Sequence, residues 1–384
     1  MHKYYRDANH MNHWTPKRIN ALFQLSTQMG INPKSDYAKD KILCEAFFES
    51  STRTALSFEC AMKKMGGDVI HFNPALSSKQ KGESDIDSIL TLTNYCDGIV
   101  LRHPDPEFFA TAQKAIDRTP ARNVPLIDGG SGDRAHPTQA LLDLYTMYKK
   151  YGSDFKHKRI LFVGDIHHSR AIHSFIQLLH HYPNVRVHLH PYDQCEPSDN
   201  YVAQIARDHC MDMDEVLIEN EYLFYQDYDV IYLSRYQTER HHCEEKCDEE
   251  LSLNDSDTDK EEVKSACDAD IDTYQDNETY YFTAKDAACL NSDAIIMHPF
   301  PRNEELHPDV DAFPQAYYFQ QMKYGVELRM GILELLFHDT HKRVEKYTTT
   351  LLLPQKKNDF MASCVIILVL SAILGGRVYY ELSV

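Results

Sequence analysis

The amino-acid sequence predicts an α/β protein of two domains, each a mostly parallel sheet flanked by helices, with the active site in the cleft between them. Short apolar segments typical of buried strands alternate with amphipathic segments of helical period. The alternation begins near Ile42 and begins again at Arg159, which indicates two separate α/β units. Polar residues follow several of the predicted strands, at the edge where open parallel sheets bind ligands.

The first predicted domain comprises residues 1–150. Thr15 and Pro16 are residue types preferred at the N-cap and at the first helical position, so a helix should begin there and run towards Met29. Apolar runs predict strands at 42–48, 68–72, 98–102 and 124–128, the last followed by a glycine-rich loop at 129–132. Helices are expected after 51, near 84–95, at 106–116 and from 137 to about 150, and 73–83 should be a polar loop.

The second predicted domain comprises residues 151–318. Strands are expected at 160–165, 186–190, 230–234 and 294–298, with helices at 169–179 and 197–208. Residues 319–338 are interpreted as a C-terminal helix that returns to the first domain, and 339–384 as an extra tail. Because both units alternate strands with helices, both sheets should be parallel and covered on two faces.

The composition excludes several classes of function. A net charge of −18 over 384 residues argues against a nucleic-acid partner, which would require a basic face. The ten cysteines are scattered without a CxxC pair, which favours reduced thiols and a cytoplasmic protein over a disulfide scaffold or zinc ribbon. Residues 1–29 lack the apolar core of a signal peptide, and neither GxGxxG nor GxxxxGK[ST] occurs.

An acidic insertion is predicted at 241–278, where 15 Asp or Glu and 3 Lys give a net charge of −12. Such a run is normally solvated. The aspartates at 255–259 imitate a calcium loop, but Lys260 and Ala266 stand where that loop requires glycine and glutamate. Four neighbouring residues have metal-ligand side chains, although a plain surface loop is favoured: His241, His242, Cys243 and Cys247.

The tail contains an uncharged apolar stretch at 360–376, flanked by Lys357 and Arg377. A membrane span needs about 20 apolar residues and about 17 at the least, so this stretch is marginal. A buried helix or a subunit contact is therefore favoured over a C-terminal membrane anchor.

The segment 51–54 joins the first predicted strand to a helix. Free backbone N–H groups and the positive end of the helix dipole lie at such a junction, and Ser51, Thr52 and Arg53 add two hydroxyls and a cation. That combination suits a phosphate group. Ser51 or Thr52 would equally serve as an ordinary helix cap, and this segment alone does not separate the two interpretations.

Eight polar residues near the ends of predicted strands suit an anionic substrate better than proton abstraction, because they include four arginines and no acid–base pair. They are Arg53, Thr54, Arg102, His136, Gln139, Arg170, Arg235 and Gln237. Any single arginine among them is more often a structural ion pair. Their recurrence at strand ends favours a binding site.

Seven separated segments resemble the catalytic chains of the aspartate/ornithine carbamoyltransferase family, specifically those of aspartate carbamoyltransferase. They are FFESSTRTALSFECAMKKMGGDV, SSKQKGE, VLRHP, HPTQALLDLYT, VGDIHHSRAIHS, YLSRYQTER and HPFPRNEEL, in the family's order and approximate spacing. The resemblance covers about residues 10–338 and implies two α/β domains, one for each substrate. It implies transfer of the carbamoyl group of carbamoyl phosphate to the amine of L-aspartate, an early step of pyrimidine (UMP) biosynthesis, without a metal or cofactor.

The resemblance assigns nine residues to carbamoyl phosphate: Ser51, Thr52, Arg53, Thr54, Arg102, His136, Gln139, Pro299 and Phe300. The turn at 51–54 would hold the phosphate, with Arg53 also compensating charge on the leaving group. Thr54, Arg102 and His136 would stabilise the oxyanion of the tetrahedral intermediate. Gln139 and two backbone carbonyls, at 299 and 300, would bind the NH2 group.

The second substrate is assigned to Arg170, Arg235 and Gln237, which would hold the two carboxylates of aspartate. Ser77 and Lys81 match the family positions that reach into the active site of a neighbouring subunit, where Lys81 also binds aspartate. The resemblance therefore implies a homotrimer with shared active sites. A regulatory subunit is compatible with it but has no signal in the sequence.

The chain departs from the family at several positions. Ala55 replaces a second arginine, His167 and His168 replace a lysine-containing pair, and Phe300 replaces a leucine whose role is through its backbone. Two alternatives compete with the aspartate enzyme. An ornithine-type transcarbamylase is disfavoured because Arg170 and Arg235 would repel a cationic amino acid, and an inactive paralogue serving as a binding subunit is disfavoured because the polar set is intact.

Overall fold

The computed structural model describes residues 14–33, 36–119, 124–153, 155–182, 184–191, 216–218, 225–237 and 282–352. Side chains are described for these residues except 216–218 and 338–352. The predicted helix at 197–208, the acidic insertion at 241–278 with its candidate metal ligands, and the apolar stretch at 360–376 lie outside the described residues. Within the described residues, no helix combines the length and apolar character needed to cross a bilayer.

The first unit is a four-stranded parallel sheet in the order β2-β1-β3-β4. Its strands are β1 (Ile42–Phe47), β2 (Asp68–Phe72), β3 (Gly98–His103) and β4 (Leu126–Ser131). Its helices are α1 (Pro16–Ile31), α2 (Thr52–Lys64), α3 (Asp85–Leu92), α4 (Phe108–Asp117) and α5 (Pro137–Tyr151). β1 and β3 are inner strands and almost entirely buried, which explains why they appear in the sequence as continuous apolar runs.

The second unit is a five-stranded parallel sheet in the order β7-β6-β5-β8-β9. Its strands are β5 (Arg159–Gly164), β6 (Arg186–Pro191), β7 (Val216–Ile218), β8 (Val230–Ser234) and β9 (Ile295–Met297). Its helices are α6 (Arg170–Leu179) and α7 (Ala284–Ala288). The predicted class, two parallel sheets flanked by helices, is confirmed.

The last described helix, α8 (Tyr318–Leu352), packs against α1, α2 and α5 of the first unit. The α1–α8 crossing is close because both helices present small residues there. A Cβ built on Gly331 would lie 2.2 Å from Ser26 Oγ, and one built on Gly30 would lie 2.5 Å from the Glu327 carboxyl carbon. Glycine therefore permits the approach that closes the core of the first unit.

The glycine-rich loop expected at 129–132 is a wrong prediction for most of its length, because β4 continues through Ser131. The Asp128 side chain stabilises this continuation by accepting the Gly130 backbone N–H at 2.7 Å and the Ser131 hydroxyl at 2.8 Å. The polar loop expected at 73–83 contains two short 3-10 turns, Pro74–Leu76 and Ser78–Lys81. The C-terminal helix, expected at 319–338, begins at Tyr318 but continues to Leu352, into the segment interpreted as a tail. The remaining predicted strands and helices within the described residues agree with the structure to within three residues at either end.

Candidate functional site

A cleft of about 500 Å³ opens at the carboxyl ends of the two sheets. Twelve residues singled out from the sequence line it: Ser51, Thr52, Arg53, Thr54, Arg102, His136, Gln139, Arg170, Arg235, Gln237, Pro299 and Phe300. Because parallel strands of one sheet end at the same edge, residues far apart in sequence meet there. Ser77 and Lys81 are the two candidate residues that do not line this cleft.

The turn at 51–54 does not use the Ser51 hydroxyl to cap its helix. Ser51 occupies the N-cap position of α2 in an extended conformation, but its side chain makes no capping hydrogen bond. Burial and the neighbouring Arg235 lower the pKa of Arg53, as expected where two cations face the same cleft. These observations favour a phosphate site over an ordinary helix cap.

Glu49 connects the two sides of the cleft. Its Oε2 lies 3.0 Å from Arg102 Nη2, at the end of β3, and 3.3 Å from Arg170 Nη1, at the start of α6. Arg170 also donates to the Gly132 carbonyl. One carboxylate therefore holds an arginine from each sheet unit in place at the cleft.

Arg102 approaches its cleft position along the backbone of β4. Its Nη1 donates to the Gly129 carbonyl at 3.4 Å, and a Cβ built on Gly130 would lie 3.1 Å from that nitrogen. Gly130 has φ +133°, a conformation that L side chains rarely adopt. The glycines of β4 therefore make room for the guanidinium as well as forming the strand.

His136 is buried directly before α5, with Nε2 3.5 Å from Thr54 Oγ1. Its backbone N–H donates to Ser174 Oγ on α6 at 3.0 Å, which fixes the start of α5 against the second unit. Burial, together with Arg170 and Arg102, holds the pKa of the imidazole well below 6.5. His136 is therefore a neutral side chain that can donate one N–H without becoming a cation.

The segment from His298 to Pro301 forms one wall of the cleft and contains a cis Phe300-Pro301 bond. His298 Nδ1 accepts the Phe300 backbone N–H at 2.8 Å, so Nε2 carries the proton and donates to Glu305 at 2.8 Å. Phe300 has φ +57°, an uncommon conformation for a bulky residue, and its ring centroid lies 5.9 Å from the Arg53 guanidinium carbon.

Arg235 and Gln237 also line the cleft and follow β8, the strand paired with β9. Arg235 donates to the Tyr236 carbonyl at 3.0 Å. The Gln237 backbone N–H donates to Asp165 Oδ2 at 3.1 Å, and the other oxygen of Asp165 lies 2.9 Å from His168 Nδ1. Asp165 therefore ties the end of β5 to the segment that presents Gln237.

Ser77 joins the two 3-10 turns after β2, and Lys81 ends the second of them. The Ser77 hydroxyl donates to the Pro74 carbonyl at 2.8 Å and accepts the Lys79 backbone N–H at 3.2 Å. Leu76 beside them is 83% exposed, an unusual fraction for a leucine. The turns are therefore largely exposed, and Ser77 and Lys81 lie outside the cleft lining of their own chain.

Sequence reasoning missed Glu49, Asp143 and Asp165 as supports of the cleft. Glu49 lies two residues after β1 and Asp165 directly after β5, so position at a strand end was a usable signal for both. Asp143 does not follow a strand, so that signal was absent: it lies within α5, one turn after Gln139, and its other two partners come from β8 and α8. Within the described residues, no group of three or more His, Cys, Asp or Glu side chains is arranged to hold a metal ion.

Two family models match the chain. Residues 6–149 match the carbamoyl-P binding domain of aspartate/ornithine carbamoyltransferases, and residues 156–336 match the Asp/Orn binding domain.

Three relatives illustrate the similarity. The aspartate carbamoyltransferase catalytic subunit of Methanococcus maripaludis is 34% identical over 326 residues, which cover 84% of this chain and 94% of that protein. Multifunctional protein pyr-3 of Neurospora crassa is 35% identical over 331 residues, which cover 84% of this chain but only 16% of that much longer protein. A crystal structure of aspartate transcarbamoylase from Trypanosoma cruzi, in complex with carbamoyl phosphate and aspartate, is 28% identical with a TM-score of 0.68, covering 84% of this chain and 94% of that one.

Proposed function

Because this chain belongs to the aspartate/ornithine carbamoyltransferase family, we propose that it transfers the carbamoyl group of carbamoyl phosphate to the amine of L-aspartate. The products are N-carbamoyl-L-aspartate and phosphate, and the reaction belongs to pyrimidine biosynthesis. The relatives named above support aspartate as the acceptor, since one is a structure with carbamoyl phosphate and aspartate bound.

One observation carries the proposal: a single cleft is lined by the 51–54 turn, by the donors Arg102 and His136, and by Arg170 and Arg235. The phosphate would lie at the N-terminus of α2, against the backbone N–H groups and Arg53. The two carboxylates of aspartate would pair with Arg170 and Arg235, with Gln237 beside them. Two anionic substrates are thereby held side by side, which is the geometry that group transfer between them requires.

The donors around the carbonyl oxygen would stabilise the tetrahedral intermediate. Thr54, Arg102 and His136 meet at the buried end of the cleft, where each donor is worth more than in water. His136 suits this role because it is neutral: its N–H is available, and it adds no positive charge to the arginines already present. Gln139 and the carbonyls of residues 299 and 300 would bind the carbamoyl NH2 group.

The proton released by the attacking amine has few destinations. The amine nitrogen bonds to the carbonyl carbon and forms the tetrahedral intermediate, and when that intermediate collapses the bond from the carbon to the phosphate oxygen breaks. Glu49 is the only carboxylate among the described residues that line the cleft, and it is paired with Arg102 and Arg170. Burial lowers the pKa of His136 and of His298, so both are weak bases. The departing phosphate is therefore the base, and it leaves as hydrogen phosphate.

The second candidate acceptor, L-ornithine, is disfavoured by charge. Burial and the neighbouring Arg235 already lower the pKa of Arg53, and an added ammonium group would meet this same positive potential. L-Aspartate, with two carboxylates, compensates it.

The direct test is a product assay with purified full-length chain, carbon-labelled carbamoyl phosphate and either L-aspartate or L-ornithine. We expect labelled N-carbamoyl-L-aspartate and no labelled citrulline. Citrulline alone would contradict the acceptor assignment, and the absence of both products would contradict the enzyme assignment.

We further propose a cytoplasmic homotrimer in which Ser77 and Lys81 complete the cleft of a neighbouring copy. Their placement on exposed turns, outside the cleft of their own chain, supports this arrangement. The exposed Leu76 and Leu56 offer apolar surface near the turns and on α2 for such a contact. The cysteines within the described residues are free thiols, as expected in a reducing compartment.

A further inference from the structure

Asp143 lies on α5 one turn after Gln139 and is completely buried. Its Oδ1 accepts the side-chain N–H groups of Gln139 at 2.8 Å and of Gln321, on α8, at 2.6 Å. Its Oδ2 accepts the hydroxyl of Tyr232, on β8, at 2.8 Å. Three elements that carry or border the cleft therefore meet at one carboxylate.

This arrangement fixes the orientation of the Gln139 amide. A carboxylate has only acceptors, so Gln139 must turn its NH2 group towards Asp143. The amide oxygen lies on the other side of the same planar group, and Gln139 is one of the residues that line the cleft. The cleft is therefore presented with Oε1, a hydrogen-bond acceptor.

The same carboxylate orients a second amide in the same sense. Because Gln321 donates its NH2 to Asp143, its Oε1 is free to accept the backbone N–H of His298 at 3.0 Å. His298 begins the wall whose next carbonyls, at 299 and 300, also border the cleft. Asp143 thus determines which end of the Gln139 amide faces the cleft and, through Gln321, helps to place the backbone that follows His298.

From this geometry we propose that Asp143 is a positioning residue for donor selection: it makes the cleft accept an acyl phosphate whose acyl carbon bears an N–H donor and disfavour one that bears a methyl group. The proposal rests on the proposed function, since it concerns the carbamoyl half of the reaction. Carbamoyl phosphate and acetyl phosphate differ only by NH2 in place of CH3. Shape alone therefore separates them poorly, and a fixed acceptor is needed to distinguish them.

The charge of Asp143 is supported from each element packed against it. Arg329 on α8 is buried nearby and favours the carboxylate, while the Tyr232 hydroxyl on β8 donates to it. Burial acts in the opposite direction and raises the pKa of Asp143 to about 7. Even a proton on Oδ2, facing Tyr232, would leave Oδ1 as the acceptor for both glutamines. The orientation of Gln139 is therefore maintained across the working range of pH.

The first test compares Asp143→Leu with Tyr232→Phe in purified full-length protein. Leucine has the same branching, although it is larger, and it has no acceptor, so the Gln139 amide becomes free to turn its NH2 group into the cleft. Phenylalanine at 232 removes one bond to the same carboxylate and leaves its bond to Gln139 intact. The measured quantity is the ratio of the KM for carbamoyl phosphate to the inhibition constant of acetyl phosphate as its competitor, together with kcat and the melting temperature.

We expect Asp143→Leu to reduce the preference for carbamoyl phosphate by about 10-fold to 100-fold, as expected for a mispaired buried hydrogen bond. Tyr232→Phe should keep the preference of the wild-type chain within about 2-fold, whatever it does to stability. An unchanged ratio in an active Asp143→Leu variant would show that Asp143 only supports the fold. A wild-type chain that makes no N-carbamoyl-L-aspartate would instead contradict the proposed function, so the two failures are distinguishable.

A second variant tests the same idea without altering Asp143, in case Asp143→Leu does not fold. In Gln139→Glu the new carboxyl group and that of Asp143 can hydrogen-bond only by holding one proton between them, which raises the pKa of the pair. In its protonated form, the substituted side chain presents the same carbonyl oxygen to the cleft as glutamine does. We expect kcat/KM for carbamoyl phosphate to fall in this variant as pH rises from about 6 to about 9, relative to the wild-type profile. Parallel profiles for the two proteins would overturn the proposal.

Discussion

Arg53 illustrates how single residues act in this cleft. It is the second residue of α2 and lines the cleft, where Arg235 is close enough to lower its pKa and the ring of Phe300 lies 5.9 Å from its guanidinium carbon. A residue in this position contributes little to the core. Its charge is worth most when a dianion occupies the helix N-terminus.

We therefore expect Arg53→Ala to lower kcat by about 100-fold to 1,000-fold while leaving the melting temperature within about 2 °C of the wild type. Lys64→Ala, near the other end of the same helix and equally exposed, is the matched control and should keep full activity. Steady-state kinetics with carbamoyl phosphate and thermal unfolding check both statements. Near-normal turnover in Arg53→Ala would mean that the 51–54 turn only begins a helix.

His136 leads to a prediction about stability and pH. Its pKa in the folded chain is held well below 6.5 by burial and by Arg170 and Arg102, whereas in the unfolded chain it titrates near 6.5. Below pH 6.5 the unfolded chain therefore binds a proton that the folded chain does not bind. The contribution of the neutral imidazole to stability is complete above about pH 7 and is lost as pH falls, by up to about 1.4 kcal/mol per pH unit.

Urea unfolding of the wild type and of His136→Gln, at about pH 8 and about pH 5.5, isolates this effect from other titrating groups. Between the higher and the lower pH, we expect the unfolding free energy of the wild type to fall by about 1 kcal/mol more than that of His136→Gln. A constant difference would show that His136 is protonated equally in both states.

At the scale of elements, the core of the first unit depends on how closely α8 crosses α1. A Cβ on Gly331 would lie 2.2 Å from Ser26 Oγ, a separation that real atoms do not adopt. Ser26 Oγ in turn donates to the Leu22 carbonyl at 2.7 Å. The small side chains thus set the distance between the two helices, and α8 is the element that also borders Asp143 through Gln321.

Gly331→Ala is expected to lower the free energy of unfolding by about 1–3 kcal/mol through overpacking. Ser26→Ala alone should cost about 1 kcal/mol, because it removes one buried hydrogen bond. The double variant should lose less unfolding free energy than the two single variants lose together, because Ser26 Oγ, the atom that the new methyl group would meet, is then absent. Chemical denaturation of the four proteins measures this coupling, and additive changes would show that the crossing has relaxed in some other way.

At the scale of the whole molecule, the cleft exists because two sheet units present their carboxyl edges to one another. Glu49 joins Arg102 of the first unit to Arg170 of the second, and Asp143 joins α5 to β8 and α8. In the proposed trimer the cleft also depends on a neighbouring subunit, because Ser77 and Lys81 would reach the cleft only from another copy.

Mixing two inactive variants tests that shared site. Arg53→Ala and Lys81→Ala damage the same site from different chains, so a mixed trimer contains one site with both wild-type residues. After exchange of subunits, mixtures should recover up to about a third of wild-type activity per mixed trimer, whereas each variant alone stays inactive. Co-purification of a tagged with an untagged chain is the control for exchange. Exchanged but inactive mixtures would show that each chain uses its own Lys81.

The sequence by itself determined the α/β class, the bounds of most strands and twelve of the residues that line the cleft. These are local properties: apolar runs identify buried strands, and because parallel strands end at one edge, polar residues after them must meet. Arg53, Arg102 and Arg235 could be placed together in this way without knowledge of their contacts.

Only the tertiary structure decided how those side chains are held. The pairing of Glu49 with two arginines, the neutral state of His136 and the orientation of Gln139 by Asp143 each depend on groups that are distant in sequence. The length of β4 also depended on tertiary structure, because the Asp128 side chain accepts the Gly130 N–H and the strand continues where a loop was expected. Hydrogen-bond direction, desolvation and charge are set by the three-dimensional neighbours of a residue, and no periodicity along the chain encodes them.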